Sequence, residues 1–240
     1  RTEAVKILPE LSHLVDLPQQ KNFHKFDGWY HTLAVVNAAP PTLLLRWAAL
    51  LHAVGKGMPG VRRIKDGKYT DYGHDLKGAE MAAEIFRRWR FPAAFAKRVV
   101  WLVVNHMRYH YFANVPEVNV EKWLRQLARG KQFSSSADMK EGIGELTVLC
   151  NADIIGCGKD ENATEGHSSF GKYMEELCQM MPVSAKDLRY DRRVIDALRP
   201  AVADGMANLL FRVQNGTLKN EEEALLDAAV RYRRRHNEDE

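Results

Sequence analysis

Cysteine is scarce in this sequence. Cys150, Cys157 and Cys178 are the only three, with no Cys-x-x-Cys pair. An odd, unpaired set excludes a disulfide-stapled scaffold and points to a reducing, cytoplasmic compartment, with the thiols read as buried and inert. Long apolar runs are missing too. No stretch approaches the roughly 18–20 residues that span a bilayer, so no membrane partner is expected. Charge of one sign does not dominate: 35 Lys and Arg against 31 Asp and Glu leave +4. With 45% hydrophobic residues, that balance excludes a disordered chain, a collagen-like repeat and a supercharged nucleic-acid tail. Internal repeats are absent, and strand-like alternation is nearly so. The first residue is Arg1 rather than Met, and no apolar signal region follows it. The chain therefore reads as an excerpt of a longer protein, with a fused or separate further domain expected.

What is present is helical periodicity over 240 residues, enough for one large domain or two small ones. Val5, Leu8, Leu11, Leu14 and Val15 follow the i, i+3, i+4 rhythm, as do Leu43, Leu44, Trp47, Leu50 and Leu51 after Pro40-Pro41-Thr42. Residues 75–90 place Leu76, Ala79, Ala82, Ala83 and Phe86 on one face, and Pro92 opens a helix with Phe95, Val99, Leu102 and Val103 inward. Residues 141–156, 191–214 and 221–235 predict further helices. Residues 67–71 are a loop or small hairpin inside a glycine-rich segment, 54–73, and the serines of 130–138 predict a mobile loop. A softer boundary falls at Met181-Pro182. The fold class expected is an all-α bundle with a helical tail.

Nine histidines stand out. Four of them, His31, His52, His74 and His106, lie at or near the ends of apolar helical stretches, and Asp153 follows in Asn-Ala-Asp. Helices of a bundle can aim such side chains into one pocket. Imidazole with carboxylate suits Mn, Fe, Co, Ni or Zn, while Mg leans more on oxygen. The separation of His31 and His52 is too long for a zinc finger and fits ligands from separate helices. A lone histidine at a helix end is more often a cap or a core hydrogen-bonder. His13, His110, His167 and His236 are read that way, and His24 has no assigned role.

These residues resemble a known family. Asn22-Phe-His-Lys-Phe-Asp-Gly-Trp-Tyr-His-Thr-Leu33, Arg46-Trp-Ala-Ala-Leu-Leu-His52, Gly73-His74 through Gly78-Ala79 and Asn105-His-Met107 resemble the HD superfamily of metal-dependent phosphohydrolases. Within it, they look like the HD domain of CCA-adding tRNA nucleotidyltransferases. Pro182-Val-Ser-Ala-Lys-Asp-Leu188 and Asn220-Glu-Glu-Glu-Ala-Leu-Leu226 extend the likeness into the helical tail. The resemblance implies an HD-type phosphohydrolase domain over 1–181 and a nucleotidyltransferase-like tail over 182–240. It implies His31, His52 and Asp153 as primary ligands of a divalent metal (Mn, Ni, Co, Fe or Mg). His74 and His106 would complete a second metal site or meet phosphate, and Lys56 and Arg108 would bind the substrate. The implied substrates are nucleotides or RNA ends carrying 2′,3′-cyclic, 2′- or 3′-phosphates.

Two departures matter. The tail lacks a glycine-rich turn after Leu188, reading Arg189-Tyr-Asp-Arg-Arg. More important, Ala53 stands where the family has its metal-binding Asp. An alanine methyl coordinates nothing, so metal binding and the metal-activated water are weakened. Retention of the other five positions, with Gly55 and Lys56, favours an Asp-to-Ala inactivated form of an active enzyme over a natural pseudoenzyme that holds a nucleotide without hydrolysis.

Charge placement favours a phosphate partner. Residues 85–116 carry Arg87, Arg88, Arg90, Lys97, Arg98 and Arg108, and residues 54–65 carry Lys56, Arg62, Arg63 and Lys65, neither with an acid. Such segments steer anions when they rim a site and are merely solvated faces otherwise. A third basic cluster, 231–236, is offset by Glu238-Asp239-Glu240. Trp29, Trp47, Trp89, Trp101 and Trp123 are expected in the core rather than as stacking platforms. No Asp-x-Asp in a strand context is present, so this chain alone is not expected to add nucleotides. The alternative reading is a tRNA-binding region with a vestigial HD site.

Overall fold

The computed structural model describes residues 2–115 and 118–237. Glu238-Asp239-Glu240, the acids set against the C-terminal basic cluster, lie outside them. The chain is all-α. Helices α1 (Thr2–Ile7), α2 (Gly28–Ala38), α3 (Leu43–Leu51), α4 (His74–Arg88), α5 (Ala93–Asn114), α6 (Val120–Arg129) and α7 (Ser136–Gly156) come first. They are followed by α8 (Glu165–Met180), α9 (Arg192–Leu198), α10 (Val202–Gln214) and α11 (Glu222–Asn237). Strands β1 (Arg63–Lys65) and β2 (Lys68–Thr70) form an antiparallel hairpin in the register Arg63↔Thr70, Ile64↔Tyr69. Asp66 and Gly67 turn it with φ of 52° and 71°. Left-handed backbone at both central positions gives a two-residue turn whose twist matches the strands, and Asp-Gly tolerates it. No described helix is long and apolar enough to cross a membrane.

Two compact units emerge, and each is discontinuous in sequence: residues 1–117 with 144–171, and residues 118–143 with 172–240. The tail segment after Pro182 lies wholly in the second unit. In the first unit α4 packs on α5, and α3 packs on α2 and α5. Trp47, Phe86, Trp89, Phe91 and Phe95 form an edge-to-face and stacked cluster there. Trp47 thus serves packing, while Trp89, expected in the core, stands at the edge of the cluster with 37% of its surface exposed. The core of the second unit joins Leu188, Val194, Leu198, Leu209, Val213 and Leu225.

Several local expectations are corrected. The inward face of α4 runs through His74, Gly78, Ala82, Ile85 and Phe86, while Leu76 is 61% exposed and Ala83 is exposed. Close approach of Gly78 to Gly55 sets that face. The 191–214 helix breaks at Arg199-Pro200-Ala201, because proline has no N–H to donate and its ring crowds the preceding turn. The first periodic stretch likewise divides at Pro9 into α1 and a 3₁₀ turn, Pro9–Leu14. Ser134 and Ser135 lie just before α7 (Ser136–Gly156) and bond to its first turn. Ser135 Oγ accepts from Asp138 N at 3.1 Å, and Asp138 Oδ2 accepts from Ser134 N at 2.8 Å, so they cap α7.

Candidate metal centre

Five helices of the first unit deliver the site. Asp27 caps α2 by accepting from Tyr30 N, which starts the helix so that His31 falls in its second turn, fully buried. His52 is the C-terminal cap residue of α3, and His74 is the first residue of α4. His106 lies inside α5 and Asp153 inside α7. His31, His52, His74 and His106 are all buried.

Hydrogen bonds to backbone carbonyls decide which ring nitrogens face inward. His52 Nδ1 donates to Ala49 O at 2.7 Å, His106 Nδ1 to Val103 O at 2.6 Å, and His74 Nδ1 to Asp71 O at 2.9 Å. A carbonyl only accepts, so each neutral ring carries its proton on Nδ1 and a bare lone pair on Nε2. Burial keeps His74 neutral, pulled down to about 3, with the Lys56 charge adding to the effect. Burial, reinforced by His74 and His52, holds His106 well below its ordinary value.

The inward nitrogens then meet. His74 Nε2 and His106 Nε2 are 3.2 Å apart, two lone pairs facing each other. His31 Nε2 lies 3.1 Å from His52 Nε2 and 3.2 Å from Asp153 Oδ1, and His52 Nε2 lies 3.5 Å from that oxygen. An ion bonded to nitrogen and oxygen at about 2.0–2.2 Å spaces tetrahedral donors about 3.3–3.6 Å apart. The three donors have nearly that spacing. Among the described residues Asp153 Oδ1 is buried and without a hydrogen-bond partner, as is His31 Nδ1. Orphaned, convergent donors of this kind fit a divalent cation.

Asp153 is oriented by a residue that sequence reasoning set aside. His110 Nε2 donates to Asp153 Oδ2 at 3.0 Å, and its Nδ1 is 2.9 Å from His167 Nε2. Burial disfavours the His110 charge, but Cys150 and the Asp153 carboxylate outweigh it and raise the pKa to about 10. Burial likewise opposes the Asp153 charge, and His110, His31 and His52 overcome it, holding the carboxylate well below its usual range. The i, i+4 spacing of His106 and His110 was the available signal, since both fall on one face of α5. His167 and Cys157 carried no such signal.

Lys56 is buried, and its Nζ donates to Gln19 Oε1 at 3.0 Å. Burial lowers its pKa, while Asp153, Cys157 and Asp71 oppose that shift. Arg108 is exposed. Ala53 is fully buried beside His52.

The basic rim is thinner than expected from composition. Arg62 is committed to structure: Nε and Nη2 donate to Asp71 Oδ1 and Oδ2 at 3.0 and 2.7 Å, and Nη1 to Pro18 O at 2.7 Å. Asp71 Oδ1 also accepts from Gly57 N at 2.8 Å. This bidentate pair, with side chains 14% and 12% exposed, ties the glycine-rich loop to the carbonyl that orients His74. Asp71→Ala is expected to cost about 3 kcal/mol in urea unfolding, the low end of the loss when one partner of a largely buried ion pair is removed.

Comparison with known proteins bears on this geometry. An HD domain family model matches residues 29–142. The CC-adding tRNA nucleotidyltransferase of Thermus thermophilus is 40% identical over 184 residues, which is 73% of this chain and 37% of that protein. The A-adding tRNA nucleotidyltransferase of Deinococcus radiodurans is 38% identical over 105 residues, 42% of this chain and 24% of that protein. The multifunctional CCA protein of Actinobacillus pleuropneumoniae is 27% identical over 188 residues, 75% of this chain and 43% of that protein. The chain spans less than half the length of these relatives.

Proposed function

From the HD domain match over residues 29–142 and the relatives among the CCA-adding tRNA nucleotidyltransferases, we propose a metal-dependent phosphohydrolase site acting on nucleotides or RNA ends. The observation that carries the reading is the trio of His31 Nε2, His52 Nε2 and Asp153 Oδ1, mutually 3.1–3.5 Å apart and buried. A bound divalent ion supplies Lewis acidity toward a phosphoryl oxygen and acidifies its water.

The chain's own residues do the rest. The Ala49 carbonyl holds His52 in its ligating tautomer, and His110 holds the carboxylate of Asp153. His74 and His106 present a second pair of bare nitrogens for a second ion or for substrate phosphate. Lys56 sets a buried positive charge toward the same donors, suited to offsetting phosphate charge, whereas Arg108, two residues past His106 in α5, is exposed and falls on a different side of that helix. Ala53 removes a carboxylate from this set, so the chain as it stands binds metal weakly and turns over little.

Calorimetric titration with Mn²⁺, Co²⁺, Ni²⁺ and Mg²⁺ tests the site. His52→Ala and Asp153→Asn are each expected to weaken binding at least ~10-fold. Hydrolysis of nucleoside 2′,3′-cyclic phosphates and nucleotides is then assayed with Ala53→Asp. Metal binding indifferent to both ligand substitutions, or no turnover of any of these substrates with any metal, overturns the reading.

A second reading is RNA binding independent of metal. A cavity of about 540 Å³ in the second unit is lined by Arg129, Lys131, Phe133, Phe211 and Gln214, with Phe211 57% exposed. Cationic and aromatic side chains together suit a single-stranded backbone and its bases. That reading expects salt-sensitive RNA binding that persists in chelator.

A further inference from the structure

Beside the trio lies a second set of donors, of which the proposed function uses only His31. His24 Nδ1 is 3.2 Å from Cys157 Sγ. The His24 and His31 rings meet edge to face with centroids 4.8 Å apart. Ligand atoms from His24, His31 and Cys157 all lie within 4.8 Å of one another. The set is held by backbone rather than by chance contact. Lys25 N donates to Cys157 O at 3.1 Å, His24 N donates to Gln20 O at 3.0 Å, and Gly158, at φ +87°, leaves room for the Lys25 side chain.

A simple thiol–imidazole hydrogen bond explains the His24–Cys157 contact but not its neighbour. His31 turns Nε2 to His52 and Asp153, and its Nδ1 is buried with no hydrogen-bond partner. An unpaired ring nitrogen in a fully buried residue is a donor or acceptor stripped of water without compensation. We infer that His24 Nδ1, Cys157 Sγ and His31 Nδ1 form a separate site for a borderline-soft divalent ion, Zn²⁺ being the best match. One thiolate and two imidazoles are a zinc-type donor set with a fourth position open, and they select against Mg²⁺. Binding forms one metal–sulfur and two metal–nitrogen bonds and releases the Cys157 thiol proton to solvent. Burial pulls His24 to about 3 and His31 to about 4, which favours the neutral imidazoles, and pushes the Cys157 thiol up to about 12, so the ion itself has to displace that proton.

His31 belongs to both sets. A neutral ring has one lone pair, so an ion on Nδ1 leaves the proton on Nε2 and withdraws that nitrogen from the His52–Asp153 trio. Zn²⁺ at the thiolate site is therefore expected to weaken Mn²⁺ binding at the trio. This inference does not depend on hydrolysis.

Chelator-stripped full chain is titrated with Co²⁺ under anaerobic conditions. The expected result is a sulfur-to-cobalt charge-transfer absorption that saturates at one equivalent and is displaced by Zn²⁺. Cys157→Ser abolishes it, Cys150→Ser and Cys178→Ser retain it, and His24→Ala lowers the Co²⁺ affinity at least ~10-fold. His52→Ala retains the band, which separates this site from the trio. Absence of the band in the unsubstituted chain, its survival in Cys157→Ser, or its loss in His52→Ala overturns the inference. A band present while Ala53→Asp shows no turnover leaves this site standing and removes only the hydrolytic reading.

Discussion

Ala53→Asp is expected to raise Mn²⁺ affinity at least ~100-fold, or ~2.7 kcal/mol, and to bring hydrolysis of a phosphate ester from background to measurable turnover. The physical ground is local. Position 53 is fully buried and directly follows His52, so a carboxylate there adds an oxygen donor and a negative charge where three donors already converge. A dication in such a site is held by charge as much as by ligand count. The same substitution should act oppositely on the metal-free fold. A buried carboxylate without its ion is desolvated, with the Lys56 ammonium as partial compensation, and about 1–3 kcal/mol of stability should be lost. Thermal unfolding in chelator is therefore expected below that of the parent. With Mn²⁺ at about 1,000 times its Kd, linkage returns about 4.1 kcal/mol, more than the loss, and carries the midpoint above that of the parent in chelator. The crossing of the two curves is the diagnostic result. A variant destabilised equally with and without metal would mean that position 53 does not face the ion.

The histidine pattern was legible because chemistry shows in residue type and spacing. His31, His52, His74, His106 and Asp153 lie far apart in sequence, yet helical periodicity places each near an element end or on one face, and the structure brings them together. What stayed hidden depends on helix orientation rather than periodicity. His110 is one turn beyond His106, but only the placement of α7 puts it against Asp153. Cys157 and His24 meet because the 19–27 loop bonds to the end of α7, a contact across more than a hundred residues. The division of α7 and α8 between two compact units was equally invisible, since a continuous helix carries no sequence mark where its neighbours change. Arg62 shows the reverse error of composition: a basic residue beside the site is spent on Asp71 and Pro18. Net charge counts such a residue as available, and only its partners reveal otherwise.

Gly55→Ala should be among the most damaging single-methyl changes in the chain, at about 3 kcal/mol or more, and should weaken Co²⁺ or Mn²⁺ binding with it. A Cβ at position 55 would sit 2.2 Å from His74 O and 2.6 Å from Gly78 N. Both are backbone atoms of the first turns of α4, so no side-chain rotation relieves the clash. Either α4 retreats and takes His74 from His106, or the 53–56 turn retreats and takes His52 from His31. The effect is steric rather than conformational, because Gly55 does not have the positive φ of its neighbour Gly57. Gly78→Ala is the control from the other side of the contact. Its Cβ would meet Gly55 N and Val103 Cγ1 at 3.4 Å, ordinary contact distance. Alanine is also favoured over glycine inside a helix by up to ~1 kcal/mol. Urea unfolding should therefore place Gly78→Ala within about 1 kcal/mol of the parent and Gly55→Ala far below it. Equal effects at the two positions would show that the α4 backbone does not press on the turn after His52, and the account of how His52 and His74 are fixed together would fail.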